Sequence, residues 1–235
     1  MITTIGFDAD DTLWQNEAFF RLTQDRLADL LAPFAPADTL QAQLLAAERR
    51  NLGHYGYGVK GFTLSMIETA IEVSKGTVPA AVIAEIMAAG REMLAHPIDL
   101  LPHAYEAVSS LAQTFQVILI TKGDLLDQER KLAQSGLGDL FHGVEIVSEK
   151  TAQTYLRIAK THGAQIGGMV MVGNSMKSDV LPMIAAGGWG VHVPHTMTWE
   201  LELAPPPQET GRFATIQSLS DLPYLVDRIA AGHNL

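Results

Sequence analysis

Ile2-Thr3-Thr4-Ile5-Gly6-Phe7-Asp8-Ala9-Asp10-Asp11-Thr12-Leu13 is the stretch that decides the fold. A short β-rich apolar run, Ile2 to Phe7, ends abruptly in acidic residues. That pattern predicts a buried strand with polar groups at its C-terminal edge, as parallel sheets have. In such sheets ligands bind at the carboxyl ends of the strands. A carboxylate at that edge, here Asp8, can attack phosphorus and give an aspartyl-phosphate. A second acid two residues on, Asp10, can protonate a leaving oxygen and later activate water. The same residues also read as a solvated acidic turn that caps a helix beginning near Leu13.

Outward from this stretch the period changes. From about Asn16, Phe20, Gln24, Leu27, Leu30 and Leu31 follow helical spacing loosely. Asp38 to Arg50 is rich in Ala, Leu, Glu and Arg and predicts a clearer helix. Phe62, Met66, Ile67, Ala70 and Ile71 form one apolar helical face, and Val82, Ile83, Ile86 and Met87 another after Pro79. No strand pattern intervenes, so residues 16–96 read as an all-helical insertion. His96-Pro97 and Leu101-Pro102 then punctuate the chain.

Beyond them helices and strands alternate. Helices are expected at 104–111, 124–135, 151–161 and 176–186, and strands at 115–120, 144–147, 169–172 and 189–193. Ala204-Pro205-Pro206-Pro207 reads as a loop, 213–216 as a last strand, and Ser218 with Asp221 as a capping box opening a final helix. Alternation of this kind implies βαβ crossovers and a mostly parallel sheet. The fold expected is therefore α/β, a Rossmann-like core of 1–15 and 97–235 with a helical domain of 16–96.

Three more polar clusters fall at strand ends. Thr121-Lys122-Gly123 follows the 115–120 strand, where a hydroxyl and a glycine that lets the backbone approach make an anion cradle. Lys150 follows the 144–147 strand, where its charge can neutralise a nucleophile and a transferring phosphoryl group. Gly173-Asn174-Ser175-Met176-Lys177-Ser178-Asp179 follows the 169–172 strand, with hard oxygens that suit Mg²⁺. Singly, each also reads as an ordinary strand-to-helix turn with a solvated lysine or a capping acid. Their weight lies in landing on one edge together.

Composition narrows the classes. The 235 residues are 47% hydrophobic, enough for a sizeable core. There is no cysteine, which excludes disulfides and thiolate chemistry. The formal net charge of −10 argues against nonspecific nucleic-acid binding. With no membrane-length apolar run and no basic leader pattern, a soluble cytoplasmic protein is expected.

In order and in context these clusters resemble the haloacid dehalogenase (HAD) superfamily of phosphohydrolases. Asp8-x-Asp10-x-Thr12 looks like motif I, Thr121 like motif II, Lys150 like motif III, and Gly173-Asn174-Ser175 through Asp179 like motif IV. The helical insertion is similar to the family's C1 cap. The resemblance implies a Mg²⁺-dependent phosphatase acting on a small phosphorylated molecule. Asp8 would then be nucleophile and metal ligand, and Asp10 general acid/base and, through its carbonyl, a second ligand. Thr121, the amide of Lys122 and the Gly123 turn would hold phosphoryl oxygens, and Lys150 would bind the charges together. Asn174 would stand where the family usually has an aspartate ligand, and Asp179 would support the metal. The sequence departs from the pattern at Asn174, which brings no charge, and after Lys150, where Thr-Ala-Gln-Thr-Tyr lacks the usual prolines. A 2-haloacid dehalogenase with the same nucleophile, a phosphomutase and a non-catalytic module share the fold. Asp10 beside Lys150 and Asp179 leans toward phosphoryl transfer, because dehalogenation needs neither the second acid nor Mg²⁺. In the helical insertion, Asn51 to Gly61 reads either as a shaped loop, with His54 and Lys60 available to an anion, or as a helix–helix connection with Tyr55 and Tyr57 in the core.

Overall fold

The computed structural model describes residues 1–208 and 211–232; the expected domain end at 235 lies outside them. By contacts the chain divides into two units. The first comprises Met1–Glu17, Ile98–Lys122 and Gln128 onward, and the second Ala18–Pro97 with Gly123–Asp127.

The first unit is built on a six-stranded sheet of order β3-β2-β1-β4-β5-β6, with every pairing parallel. The strands are β1 (Thr4–Phe7), β2 (Gln116–Lys122), β3 (Gly143–Val147), β4 (Met169–Gly173), β5 (Trp189–His192) and β6 (Phe213–Thr215). β1 and β4 are buried along their whole length, whereas β3 and β6, at the edges, are partly open. Successive side chains of a strand point to opposite faces, so two cores form. Ile5, Phe7, Val117, Leu119, Val170 and Val172 face helices α5 (Ala104–Ala112) and α9 (Leu222–Ala230). Ile118, Ile120, Met169 and Met171 face Tyr155, Ile158 and Ala159 of α7 (Ala152–Thr161) and Met183 of α8 (Leu181–Ala186). Apolar strands covered on both sides are what a parallel sheet requires. The order of strands reverses between β1 and β4, and the crevice outside their carboxyl ends is where such sheets bind ligands.

Several elements differ from expectation. β2 runs on to Lys122, so Thr121 and Lys122 are its last residues rather than a turn beyond it. The expected helix 176–186 starts as a π-helical turn, Met176–Val180, before α8. Ser218 accepts a hydrogen bond from the Ser220 amide and opens a 3-10 turn, Leu219–Asp221, ahead of α9, in place of a capping box.

The second unit is helical: α1 (Glu17–Leu31, from Ala18 on), α2 (Ala37–Tyr55), α3 (Val59–Val73) and α4 (Ala80–Ala95). Leu27, Leu31, Leu40, Leu44, Phe62, Met66, Ala70 and Ile86 are its core. Ile71 and Met87, expected on the apolar faces, are about half exposed because each lies at the flank of its stripe. The stretch Asn51–Gly61 is mostly helix, since α2 reaches Tyr55 and α3 starts at Val59. Tyr55 is exposed, not core, and Lys60 pairs with Asp124 at 2.9 Å. Among the described residues no helix is long and apolar enough to cross a membrane.

Candidate active site

Asp8 leaves β1 at the reversal point, its amide hydrogen-bonded to the Val172 carbonyl of β4 at 2.9 Å. Its carboxylate is buried. Oδ1 accepts from Lys150 Nζ at 2.5 Å and Oδ2 from the Thr12 hydroxyl at 3.0 Å. Lys150 also donates to Asp179 Oδ1 at 2.7 Å. Two buried carboxylates therefore share one buried ammonium. Burial, joined by the nearby Asp179 charge and opposed by Lys150, pushes Asp8 up to about 7. The Lys150 ammonium is held above its ordinary range, because Asp179 and Asp8 outweigh the opposing effect of burial.

The motif IV turn is wound to deliver Asp179. Ser175 Oγ accepts the Ser178 amide, and Asp179 Oδ2 accepts the Ser175 amide at 2.9 Å. Val180 N bonds back to Ser175 O five residues earlier, which makes the turn π-helical. The buried Tyr155 hydroxyl donates to Ser178 O at 3.0 Å and braces the turn from α7. Gly173 has no side chain for a direct reason: a Cβ there would stand 2.1 Å from Asp179 Oδ2. Thr12 links this turn to Asp8. Its hydroxyl accepts the Asn174 amide at 3.0 Å and lies 3.4 Å from Asn174 Oδ1.

Asp10 has its own set of donors. Trp14 Nε1 reaches Oδ1 at 2.7 Å, Gln128 Nε2 reaches Oδ2 at 2.8 Å, and Lys131 Nζ sits 3.0 and 3.2 Å from the two oxygens. None of these three partners was expected from the sequence. A signal was present: Asp127, Gln128, Lys131 and Ser135 are polar at helical spacing and all buried on α6 (Leu125–Ser135). The capping role expected of the acidic turn belongs to Asp11, which accepts the amides of Asn16 and Glu17 at the start of α1. Burial, opposed by His195, raises Asp11 to about 6.

The structure thus brings Asp8, Thr12, Lys150, Asn174 and Asp179 together. The buried Thr121 hydroxyl donates to its neighbour's carbonyl, Lys122 O, at 3.3 Å. The Lys122 side chain turns to Ser178 and Glu202. Gly123, at φ +133°, groups by contacts with the helical unit.

A family model described as haloacid dehalogenase-like hydrolase matches residues 2–187. The chain belongs to that family. A haloacid dehalogenase-like family hydrolase from Xanthomonas campestris is 41% identical over 98% of this chain and 93% of its own, with a TM-score of 0.89. More distant HAD-like structures share the fold. The HAD-hydrolase YfnB from Bacillus subtilis, bound to magnesium, is 16% identical with a TM-score of 0.67, covering 96% of this chain and 99% of its own. A 2-haloacid dehalogenase from Pseudomonas syringae pv. Tomato DC3000 is 19% identical with a TM-score of 0.65, covering 97% and 100%. No curated protein matches the chain at significant similarity. As a HAD-like hydrolase, the chain is an enzyme of this α/β fold.

Proposed function

We propose that this hydrolase is a Mg²⁺-dependent phosphatase of small phosphomonoesters, with the helical unit in the role of a cap domain. The observation that carries the reading is the pair of carboxylates two residues apart, Asp8 and Asp10, each held by a different buried lysine. Asp8 attacks phosphorus, and the bond to the leaving oxygen breaks as that oxygen takes a proton from Asp10. Water then attacks the aspartyl-phosphate, giving its proton to Asp10, and the phosphorus–oxygen bond to Asp8 breaks to release phosphate. Lys150 holds the nucleophile's orientation and balances charge at the phosphoryl group.

The donor set fits Mg²⁺. Asp8 Oδ2 and Asn174 Oδ1 are hard oxygens within reach of one Thr12 hydroxyl. Asp8 and Asp179 against Lys150 leave a buried excess of negative charge, and burial together with Asp179 raises the Asp8 pKa. Among the described residues no group of three or more His, Asp or Glu is gathered to hold a metal. Mg²⁺ is suited to such a site because it keeps several waters and takes only one or two carboxylates. Asp8, the Asp10 carbonyl and Asn174 would be its ligands, with Asp179 in support. When bound, the ion would screen the approach of a carboxylate to an anionic phosphoryl group.

Asn174→Asp adds one charge beside the ion. It is expected to lower the Mg²⁺ concentration for half-maximal activity roughly tenfold; an unchanged titration would remove Asn174 from the ligand set. The reading as a whole is tested with p-nitrophenyl phosphate and a panel of phosphorylated metabolites, with and without Mg²⁺. Hydrolysis that depends on Mg²⁺ is expected. Metal-independent release of chloride from 2-chloropropionate, without phosphatase activity, would instead make the chain a dehalogenase.

A further inference from the structure

A second buried cluster adjoins the site, and the carboxylate at its centre has no part in the chemistry above. The segment between β5 and β6 carries a 3-10 turn, Glu200–Glu202. The Glu202 carboxylate is largely buried, at 14% side-chain exposure. Oε1 accepts from Lys122 Nζ at 2.7 Å, and Oε2 accepts from the Ser175 and Ser178 hydroxyls, each at 2.5 Å. Lys122 Nζ also donates to Ser178 Oγ at 2.8 Å. Lys177 Nζ donates to the Leu201 carbonyl at 2.6 Å and fastens the same turn. Burial alone would raise the Glu202 pKa, yet Lys122 and the two serines bring it below its ordinary value.

Two lysines, one closing β2 and one beyond β3, therefore converge on successive residues of one turn. Lys122, at the end of β2, meets Ser178, and Lys150, beyond β3, meets Asp179. A nearly buried ammonium that loses its counter-ion seeks the nearest carboxylate, because leaving it unpaired is costly. Glu149 already pairs with Lys122 at 3.4 Å, but it is half exposed, where pairing is weak. Asp179, one residue along from Ser178, is the buried one. If Lys122 moved there, two ammonium groups would face two carboxylates, and the negative excess that suits a divalent cation would vanish.

We infer that Glu202 is a positioning residue that draws the Lys122 ammonium onto the Ser178 hydroxyl and so leaves Lys150 as the cation shared by Asp8 and Asp179. Its consequence for Mg²⁺ rests on the phosphatase reading; the placement of Lys122 does not. Glu202 acts through charge, so its shortened homologue should serve and its neutral isostere should not.

The test compares the wild-type chain with Glu202→Gln and Glu202→Asp. Crystal structures of the metal-free proteins come first. In Glu202→Gln, Lys122 Nζ is expected within hydrogen-bond distance of Asp179 or Asp8; in Glu202→Asp it should stay with the new carboxylate. Lys122 remaining on Ser178 in Glu202→Gln, or turning out to Glu149, overturns the inference whether or not the protein binds metal. Calorimetric titration with MgCl₂ at fixed pH follows. Glu202→Gln is expected to bind roughly tenfold more weakly than wild type, and Glu202→Asp within about twofold of it. Equal weakening in both variants would mean that the turn is held by shape, and overturns the inference. A wild-type chain that binds no Mg²⁺ would sink the phosphatase reading, while the crystal structures still decide the place of Lys122.

Discussion

Asp8→Asn is expected to abolish turnover and, at the same time, to make the metal-free protein more stable at pH 8. The first effect follows from chemistry: an amide is a poor nucleophile, and losing a covalent nucleophile removes more than about 99% of activity. The second follows from the charge balance. Asp8 and Asp179 share Lys150 in a buried setting, and Asp8 titrates at about 7 rather than its ordinary 3.8. The folded state thus holds a proton that the unfolded chain has already released. Stability is undiminished below pH 3.8, falls as pH rises through the window up to about 7, and stays reduced above it. A neutral asparagine escapes that loss. Calorimetry of metal-free protein between pH 4 and 8 should show a melting-temperature gain of several degrees at the alkaline end, shrinking toward the acid end. Mg²⁺ should narrow the gap by stabilising the wild type. A gain that is equal at all pH values would show that the carboxylate's charge is not its source.

Lys150→Met is the opposite experiment and the more damaging one. It leaves Asp8 and Asp179 buried without their common partner. Breaking a buried ion pair from one side costs about 3–5 kcal/mol. Against a total stability of about 5–15 kcal/mol that is a large share. Denaturant unfolding should place the variant lower by that amount, with no measurable phosphatase activity. Because the loss is electrostatic, lowering the pH toward 5 should recover part of it by protonating the carboxylates. Wild-type stability in this variant would mean that Lys150 is not the counter-ion the geometry makes it.

The sheet and the edge were legible in the sequence because they depend on simple periodicity. Largely apolar runs ahead of Asp8 and Asn174 follow from strands buried on both faces, and Lys150 lies beyond β3, a partly open edge strand of the same sheet. What could not be read was the direction of long side chains. Lys122 is expected at the phosphoryl group through its amide; where its side chain goes, to Ser178 and to Glu202 in a loop with no pattern, had no signal in the sequence. The π-helical turn was invisible because the residues of Met176–Ala186 suit an α-helix equally; the turn is held from outside that segment, by the Ser175 amide on Asp179 Oδ2 and the Tyr155 hydroxyl on Ser178 O. Gln128 and Lys131 were overlooked for another reason: a helix with polar residues at core spacing reads as weakly amphipathic until its partner, Asp10, is in view.

The central place of β1 also governs how the chain must assemble. Thr4 pairs with Gln116 on one side and Met169 on the other. Contacts so distant along the chain close slowly, since the loop entropy is lost before any pairing compensates it. The helices between them rely on near neighbours and can form early, shortening the effective loop that β1 must span. During synthesis β1 emerges ahead of the other strands of its sheet, and it waits without a neighbour until more than a hundred residues have followed.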